Sequence, residues 1–316
     1  MVLGGACGSF QWRPADARDA APWTTPATAV FEEARRQARQ APAKPAVVDG
    51  ARTLTYGELA AQVPALARGL VRRGVRPGDF GALHLDDACD LAVAVHAVAA
   101  AGAVPVLLPP EAGEDELAVR LVEHQVWFLF TCAALAGPAL AATERSYVRQ
   151  VFAFGEVAGA TSCADLAAPP GPCGVEGPPV RVASEWSLCT PDGCFTHADR
   201  LARLTRRSGT LGVAGTDVLV AAAELGRTAE TWAGLIDLAL AHGATFVAAC
   251  GAGGPALLAA AERHRATIAV TTPAALRALD AGPAPLPGLR LAVTDEPPPD
   301  IAATYRRHGW TVVAAG

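Results

Sequence analysis

Cys189, Cys194 and His197 fall in a C-x4-C-x2-H spacing, the one place where soft, reactive side chains cluster along the chain. Three chemistries fit such a set. A thiol beside an imidazole can act as nucleophile and base, which suits acyl transfer. Two thiols and an imidazole can ligate a soft metal, although a structural zinc takes four ligands, usually at tighter spacing, so no metal is assigned. Alternatively the cysteines fill small apolar spaces and His197 caps the helix that follows. A second group, Glu224, Arg227 and Glu230 with Trp232 just beyond, follows an apolar strand. It could form the mouth of a pocket that pairs with a ligand's amine or carboxylate; a solvated face and, for Trp232, core packing are the simpler readings. His96 on an apolar helix reads as a satisfied core histidine. The basic runs at 35–39 and 203–207 read as solvated helix faces.

The elements that must carry these residues alternate. Residues 1–26 form an irregular tail and a helix follows to Gln40. Short strands on either side of Asp49-Gly50 give a hairpin signal. Thr55 and Glu58 form a capping box that opens a helix to about Arg73, with Leu59, Val63, Leu66 and Leu70 on one face, a kink at Pro64 and a stop at Gly74. Strands at 80–85, 104–108, 127–131 and 148–154 alternate with helices at 88–101, 114–124 and 133–142. The stretch 155–179 is rich in Pro, Gly and Ala and reads as a loop. A strand at 180–186 and a helix at 198–208 come next. Strands at 217–223, 244–250, 267–272, 289–295 and 310–315 then alternate with helices at 228–242, 255–264, 273–280 and 299–308. Such alternation predicts largely parallel sheets with helices on their faces.

Composition narrows the possibilities. The chain has 316 residues, 51% hydrophobic and 18% charged, with a net charge of −5, which excludes disorder as a description of the whole. A pI near 5.8 argues against nucleic acid as a partner. The mean hydropathy of +0.26 makes Leu91–Pro110 the segment to test for membrane insertion. It meets the ~20-residue length of a span, but Gly102 and Pro105 interrupt it, and a buried helix followed by a buried strand fits better. The N-terminus lacks the basic and apolar regions of a signal peptide, so a cytoplasmic location is expected. The eight cysteines are then expected to be reduced and mostly buried.

Several phrases occur in an order that resembles the large N-terminal domain of adenylate-forming enzymes, the superfamily of acyl-CoA synthetases, luciferases and the adenylation domains of nonribosomal peptide synthetases. They are LTYGELAAQVPALARGLVRRGVRPGD (54–79), AVHAVAAAGAVPVLLPP (94–110), HGATFVAA (242–249) and ERHRATIAVTTPAALRAL (262–279), and the resemblance covers residues 27–316. It implies an α/β fold of two stacked lobes with mostly parallel sheets flanked by helices, lacking the family's small barrel and C-terminal lid. One lobe would comprise 78–209, with the loop at 155–179; the other would comprise 27–77 with 210–316.

The same resemblance implies ATP-dependent activation of a carboxylate, and here this sequence departs from the pattern. The family's phosphate loop, S-G-T-T-G-x-P-K-G, wraps phosphates with backbone N–H groups, and its glycines permit close approach. The matching segment reads SEWSLCTPDGCFTH (184–197). Pro191, Gly193, Thr196 and His197 fit, and Ser184 and Ser187 fit loosely. Trp186 and Cys189 stand at glycine positions, and Asp192 stands at the lysine, which places a carboxylate where a cation meets triphosphate. Gly316 aligns with the glycine of the family's Y-G-x-T-E phrase, and the magnesium, ribose, hinge and lid residues would all lie beyond it. Productive binding of ATP and magnesium is therefore not expected. The reading is a degenerate relative that no longer adenylates and serves as a binding, scaffolding or regulatory partner in an acyl or carrier-protein pathway. Exposed sheet edges would favour a protein partner or a homo-oligomer. The alternatives are an ATP-independent acyl-transfer enzyme using the Cys/His set, or one half of a split ligase.

Overall fold

The computed structural model describes residues 25–167, 184–226, 228–251, 253–278, 289–293 and 311–314. The described part begins with α1 (Pro26–Gln40), whose first turn carries Pro26 and is capped by the Thr25 side chain accepting from the Thr28 N–H. A hairpin of β1 (Pro45–Asp49) and β2 (Arg52–Thr55) follows. Its turn needs Gly50, whose φ of +58° is open to glycine at little cost. Thr55 and Glu58 make the reciprocal capping box that opens α2 (Tyr56–Arg72). This helix runs through Pro64 as a single element and buries Leu59, Val63, Leu66 and Leu70.

β3 (Phe80–Leu83), α3 (Ala88–Ala100), β4 (Val104–Leu107), α4 (Glu114–Glu123), β5 (Phe128–Cys132), α5 (Ala136–Thr143) and β6 (Gln150–Phe154) continue the alternation. The apolar run 91–110 divides at Gly102 into a buried helix and a buried strand. Among the described residues no helix is long and apolar enough to cross a membrane. The segment expected to be loop from 155 contains β7 (Thr161–Ser162) and α6 (Cys163–Ala167). The physical reason is Gly69 of α2: a Cβ there would collide with the Leu166 carbonyl, so the glycine lets the short helix dock. The rest of that stretch, 168–179, lies outside the described residues.

The strand expected at 180–186 is placed later, as β8 (Trp186–Thr190), and it turns straight back into β9 (Gly193–Thr196), a strand the sequence pattern did not reveal. Then come α7 (His197–Leu211), β10 (Val218–Ala221), α8 (Glu230–Ala241), β11 (Thr245–Ala248), α9 (Gly254–Arg263), β12 (Ile268–Thr271), α10 (Pro273–Ala278), β13 (Arg290–Val293) and β14 (Thr311–Ala314). The expected helix at 299–308 and the tail through residue 24 lie outside the described residues.

Two seven-stranded sheets result, ordered β14-β13-β12-β10-β11-β1-β2 and β7-β6-β5-β3-β4-β8-β9. Each is parallel except for one antiparallel hairpin at its edge, β1–β2 in the first and β8–β9 in the second. The main core draws on both sheets and on α1, α2, α3 and α8. α3 is buried on nearly every side, as a helix apolar all round apart from Asp90 and His96 must be. A second, smaller core lies on the other face of the β3-β4-β5 region, where Val104, Val106 and Leu129 meet Leu117 and Leu121 of α4 and Ala139 and Ala142 of α5. The fold is α/β with mostly parallel sheets flanked by helices, and no closed barrel occurs among the described residues.

Candidate functional site

The segment that resembles a phosphate loop is an antiparallel ladder closed by a two-residue turn. Cys189 pairs with Cys194 and Thr190 with Gly193, leaving Pro191 and Asp192 as the turn. Pro191 fixes its own φ near the turn value. Thr190 holds the corner: its Oγ1 donates to the Gly193 carbonyl at 3.3 Å and accepts from the Asp192 N–H at 3.2 Å. Asp192 is exposed at the tip. Ser184 accepts from the Trp186 N–H at 3.1 Å, so its hydroxyl serves the backbone.

Residues alternate across the strand. Leu188 faces the main core, whereas Cys189 faces the smaller one, which Trp186 and Cys194 also flank. Cys189 and Cys194, opposed with a Cα–Cα distance of 4.0 Å, are joined in a disulfide. This corrects the expectation of reduced thiols for that pair; Cys89, Cys132, Cys163 and Cys250 remain free. Burial pushes the Cys89 thiol up to about 12 and raises Cys163 further still, so both are inert packing groups at neutral pH.

The imidazole that accompanies the sulfurs is His124, the residue that ends α4. Its ring nitrogen and the two Sγ atoms all lie within 4.8 Å of one another. No sequence signal links His124 to a hairpin 65 residues away. The neighbour relation arises from sheet order, because β8 lies beside β4 and α4 packs across the same face.

His197 is placed differently from both expectations. It is the first residue of α7, and the cap is Thr196, which accepts from the Asp199 N–H while Asp199 reaches back to Thr196. The His197 N–H donates to the Glu185 carbonyl at 3.0 Å. Burial, reinforced by the Arg200 charge, pulls the ring down to about 4, so it is neutral at physiological pH and too weak a base to activate a thiol. With its sulfurs in a disulfide, the C-x4-C-x2-H set is not a nucleophile–base pair in this structure.

The second expected group disperses. Trp232 is fully buried and stacks edge-on against Phe246, 5.4 Å between centroids, so it is core and not a pocket mouth. Glu230 is buried and pairs with Arg207 at 3.2 Å and Arg203 at 3.5 Å; of the run 203–207, expected to be solvated, Leu204 and Arg207 are buried while Arg203, Thr205 and Arg206 keep solvent contact. Glu224 accepts from the Gly253 N–H at the start of α9. Arg227 lies outside the described residues. Arg200, also buried, bridges the hairpin to α8 by donating to Ser187 Oγ at 3.2 Å and Asp237 at 2.6 Å. His96 stands 3.5 Å from Asp237 without a hydrogen bond, which corrects its reading as satisfied; burial, aided by Arg200, holds its pKa below the usual value against the pull of Asp237.

Comparison with known proteins agrees with the fold. Residues 34–175 match the family model for AMP-binding enzyme. The chain is 30% identical over 298 residues to a salicyl-AMP ligase / salicyl-S-ArCP synthetase of Mycobacterium tuberculosis, covering 85% of this chain and 51% of that protein. It is 35% identical over 169 residues to 3-amino-2-hydroxy-4-methoxybenzoate diazotase of Streptomyces cremeus, covering 50% of this chain and 30% of that one. A benzoate CoA ligase structure from Burkholderia xenovorans superimposes with a TM-score of 0.75 at 21% identity, over 92% of this chain and 60% of that one. The chain thus spans about half, or less, of the curated relatives it matches. Residues 34–175 thus carry the AMP-binding enzyme match, and the chain has the fold of the adenylate-forming superfamily's large N-terminal domain.

The superfamily implies ATP and magnesium, and the hairpin is where the phosphates would sit. The residues present do not fit that role: the segment is a closed ladder with an exposed carboxylate at its tip and a disulfide across its middle.

Proposed function

We propose that this chain is an adenylation-domain relative that does not adenylate and instead serves as a binding, scaffolding or regulatory component for carboxylate or carrier-protein chemistry. The observation that carries this reading is Asp192. It stands exposed at the tip of a hairpin whose flanking Pro191 and Gly193 keep the superfamily's pattern, so a carboxylate replaces the expected lysine at an otherwise matched turn. At such a tip a negative charge repels a triphosphate. The ligand class is suggested by the named relatives, which include a salicyl-AMP ligase and a benzoate CoA ligase; an aryl carboxylate, free or carried on a protein, is the first candidate. Fold alone does not fix the chemistry.

The test is ATP–pyrophosphate exchange by the purified chain with a panel of benzoates, hydroxybenzoates, fatty acids and amino acids. The expected outcome is exchange at background for every acid, for the wild type and for Asp192→Lys alike, since Trp186 and the disulfide remain. Exchange above background by the wild type with any acid overturns the reading.

A further inference from the structure

We propose that Cys189, Cys194 and His124 form a redox-gated binding site for a soft d10 cation, of which Zn2+ is the probe: the disulfide excludes the ion and the dithiol takes it.

The geometry comes first. In the oxidised chain the two Sγ atoms are bonded to each other, and the His124 ring nitrogen lies within 4.8 Å of both. Zinc–sulfur bonds of ~2.3 Å and a zinc–nitrogen bond of ~2.0 Å at tetrahedral angles put the sulfurs ~3.8 Å apart and the ring nitrogen ~3.5 Å from each, so after reduction the sulfurs must part and the imidazole must close in. The sulfurs project from directly paired residues of a ladder, so they can part by side-chain rotation while the strands keep their register. His124 is fixed independently by α4, with its backbone N–H donating to the Arg120 carbonyl at 3.2 Å.

The surroundings select the kind of ion. Val104, Val106, Leu121 and Val126 form the neighbouring core, and no carboxylate belongs to the donor group. A hard, hydrated ion finds nothing there, whereas two thiolates and an imidazole suit a thiophilic one. Two thiolates also balance a divalent charge, so the complex is neutral where a net charge would be costly. Cys189 is fully buried, while Cys194 and His124 are half-buried, which leaves a fourth position on the solvent side for water.

The redox step balances with a dithiol reductant. The reductant gives two electrons and two protons, the Cys189–Cys194 bond breaks, two thiols form, and the reductant closes to its own disulfide. Zn2+ then displaces both thiol protons to solvent as two Zn–S bonds form.

The experiment uses the full chain, reduced with a dithiol, freed of it without oxygen, and titrated with Zn2+ against a chromophoric chelator. Parallel titration with Co2+ reads thiolate ligation from its charge-transfer absorption. The expected result is one tight equivalent in the reduced protein and none in the oxidised protein. Cys194→Ser should abolish it, and His124→Gln should weaken it by more than about tenfold, at least the loss seen on removing a supporting partner. These two variants change half-buried positions; Cys189→Ser lies in the core and is informative only if circular dichroism shows it folded. Failure of the reduced protein to bind overturns the proposal. So does a tight equivalent that survives unchanged in both Cys194→Ser and His124→Gln, because the ion is then held by other thiols.

Discussion

The β1–β2–α2 and β8–β9–α7 segments are the same unit built twice. Each is an antiparallel hairpin on the edge of a parallel sheet, and each ends on a threonine, Thr55 or Thr196, that opens the next helix with a capping box. Counted from that threonine, the buried positions coincide. Leu59, Val63, Leu66 and Leu70 of α2 correspond to Arg200, Leu204, Arg207 and Leu211 of α7. Two leucines of one copy are therefore buried arginines in the other. The first unit is held by apolar burial, and its turn is a glycine hinge. The second is held by ion pairs from Arg200 to Asp237 and from Arg207 to Glu230, and its hairpin carries the disulfide and the exposed Asp192. The difference teaches that the shared backbone plan is indifferent to what fills it. Polar chemistry is concentrated in the copy that, in this superfamily, faces the nucleotide.

The largest expected effect breaks the ionic copy. Asp237→Ala leaves Arg200 buried and unpaired and should cost about 3–5 kcal/mol in urea unfolding. Leu59→Ala, the corresponding position in the apolar copy, should cost about 2–5 kcal/mol by cavity formation. The two are separated by repair: Arg200→Leu with Asp237→Leu should restore or exceed wild-type stability, by up to about 4 kcal/mol. If the double variant is as unstable as Asp237→Ala, the buried pair is doing more than filling space. Next in size is the disulfide, which closes a loop with a sequence separation of 5 and should contribute about 2 kcal/mol on the chain-entropy account. Comparing unfolding midpoints with and without a dithiol checks this; Cys194→Ser should be insensitive to the reductant.

Periodicity carried most of this fold. The Thr55–Glu58 box and the Leu91–Pro110 split are local signals that lie where their patterns placed them, and the strand–helix alternation holds through the described residues apart from the displaced β8 and the unforeseen β7, α6 and β9. What failed was non-local or masked by chemistry. β9 is too short and too polar at its turn to announce itself, so Thr196 was passed over as a cap in favour of His197. Arg207 and Glu230 look like solvent-facing residues in isolation; only the approach of α7 to α8 makes them a buried pair, with Arg203 at its rim. The Cys189–Cys194 cluster was visible by spacing, but its imidazole was not, because His124 reaches it across the sheet order and not along the chain.

The two caps sharpen the comparison at smaller scale. Thr55→Ala and Thr196→Ala should each cost about 1 kcal/mol, since each loses the bond its hydroxyl accepts from the backbone N–H of Glu58 or Asp199 and the one it donates to that residue's carboxylate, while the backbone half of the capping box remains. Unequal costs would show that the charged underside of α7 changes how much the helix depends on its start.

The smallest effect at neutral pH belongs to His197, which has no counterpart in α2, where Tyr56 fills the first helical position. The folded state holds His197 at about 4, against an ordinary value of 6.5. Below pH 6.5 the unfolded chain takes up a proton that the folded chain refuses, so stability falls as the pH drops from 6.5 towards 4 and then levels off. His197→Gln removes this contribution. The variant should match the wild type near neutral pH and lose less stability on acidification, measured as urea midpoints across that window. The slope does not vanish, because burial also lowers His84 and His96, which keep contributing with the same sign. An unchanged slope would mean that the ring accepts its proton in the folded state, and that the ionic copy of the unit is more open to water at its start than its buried arginines imply.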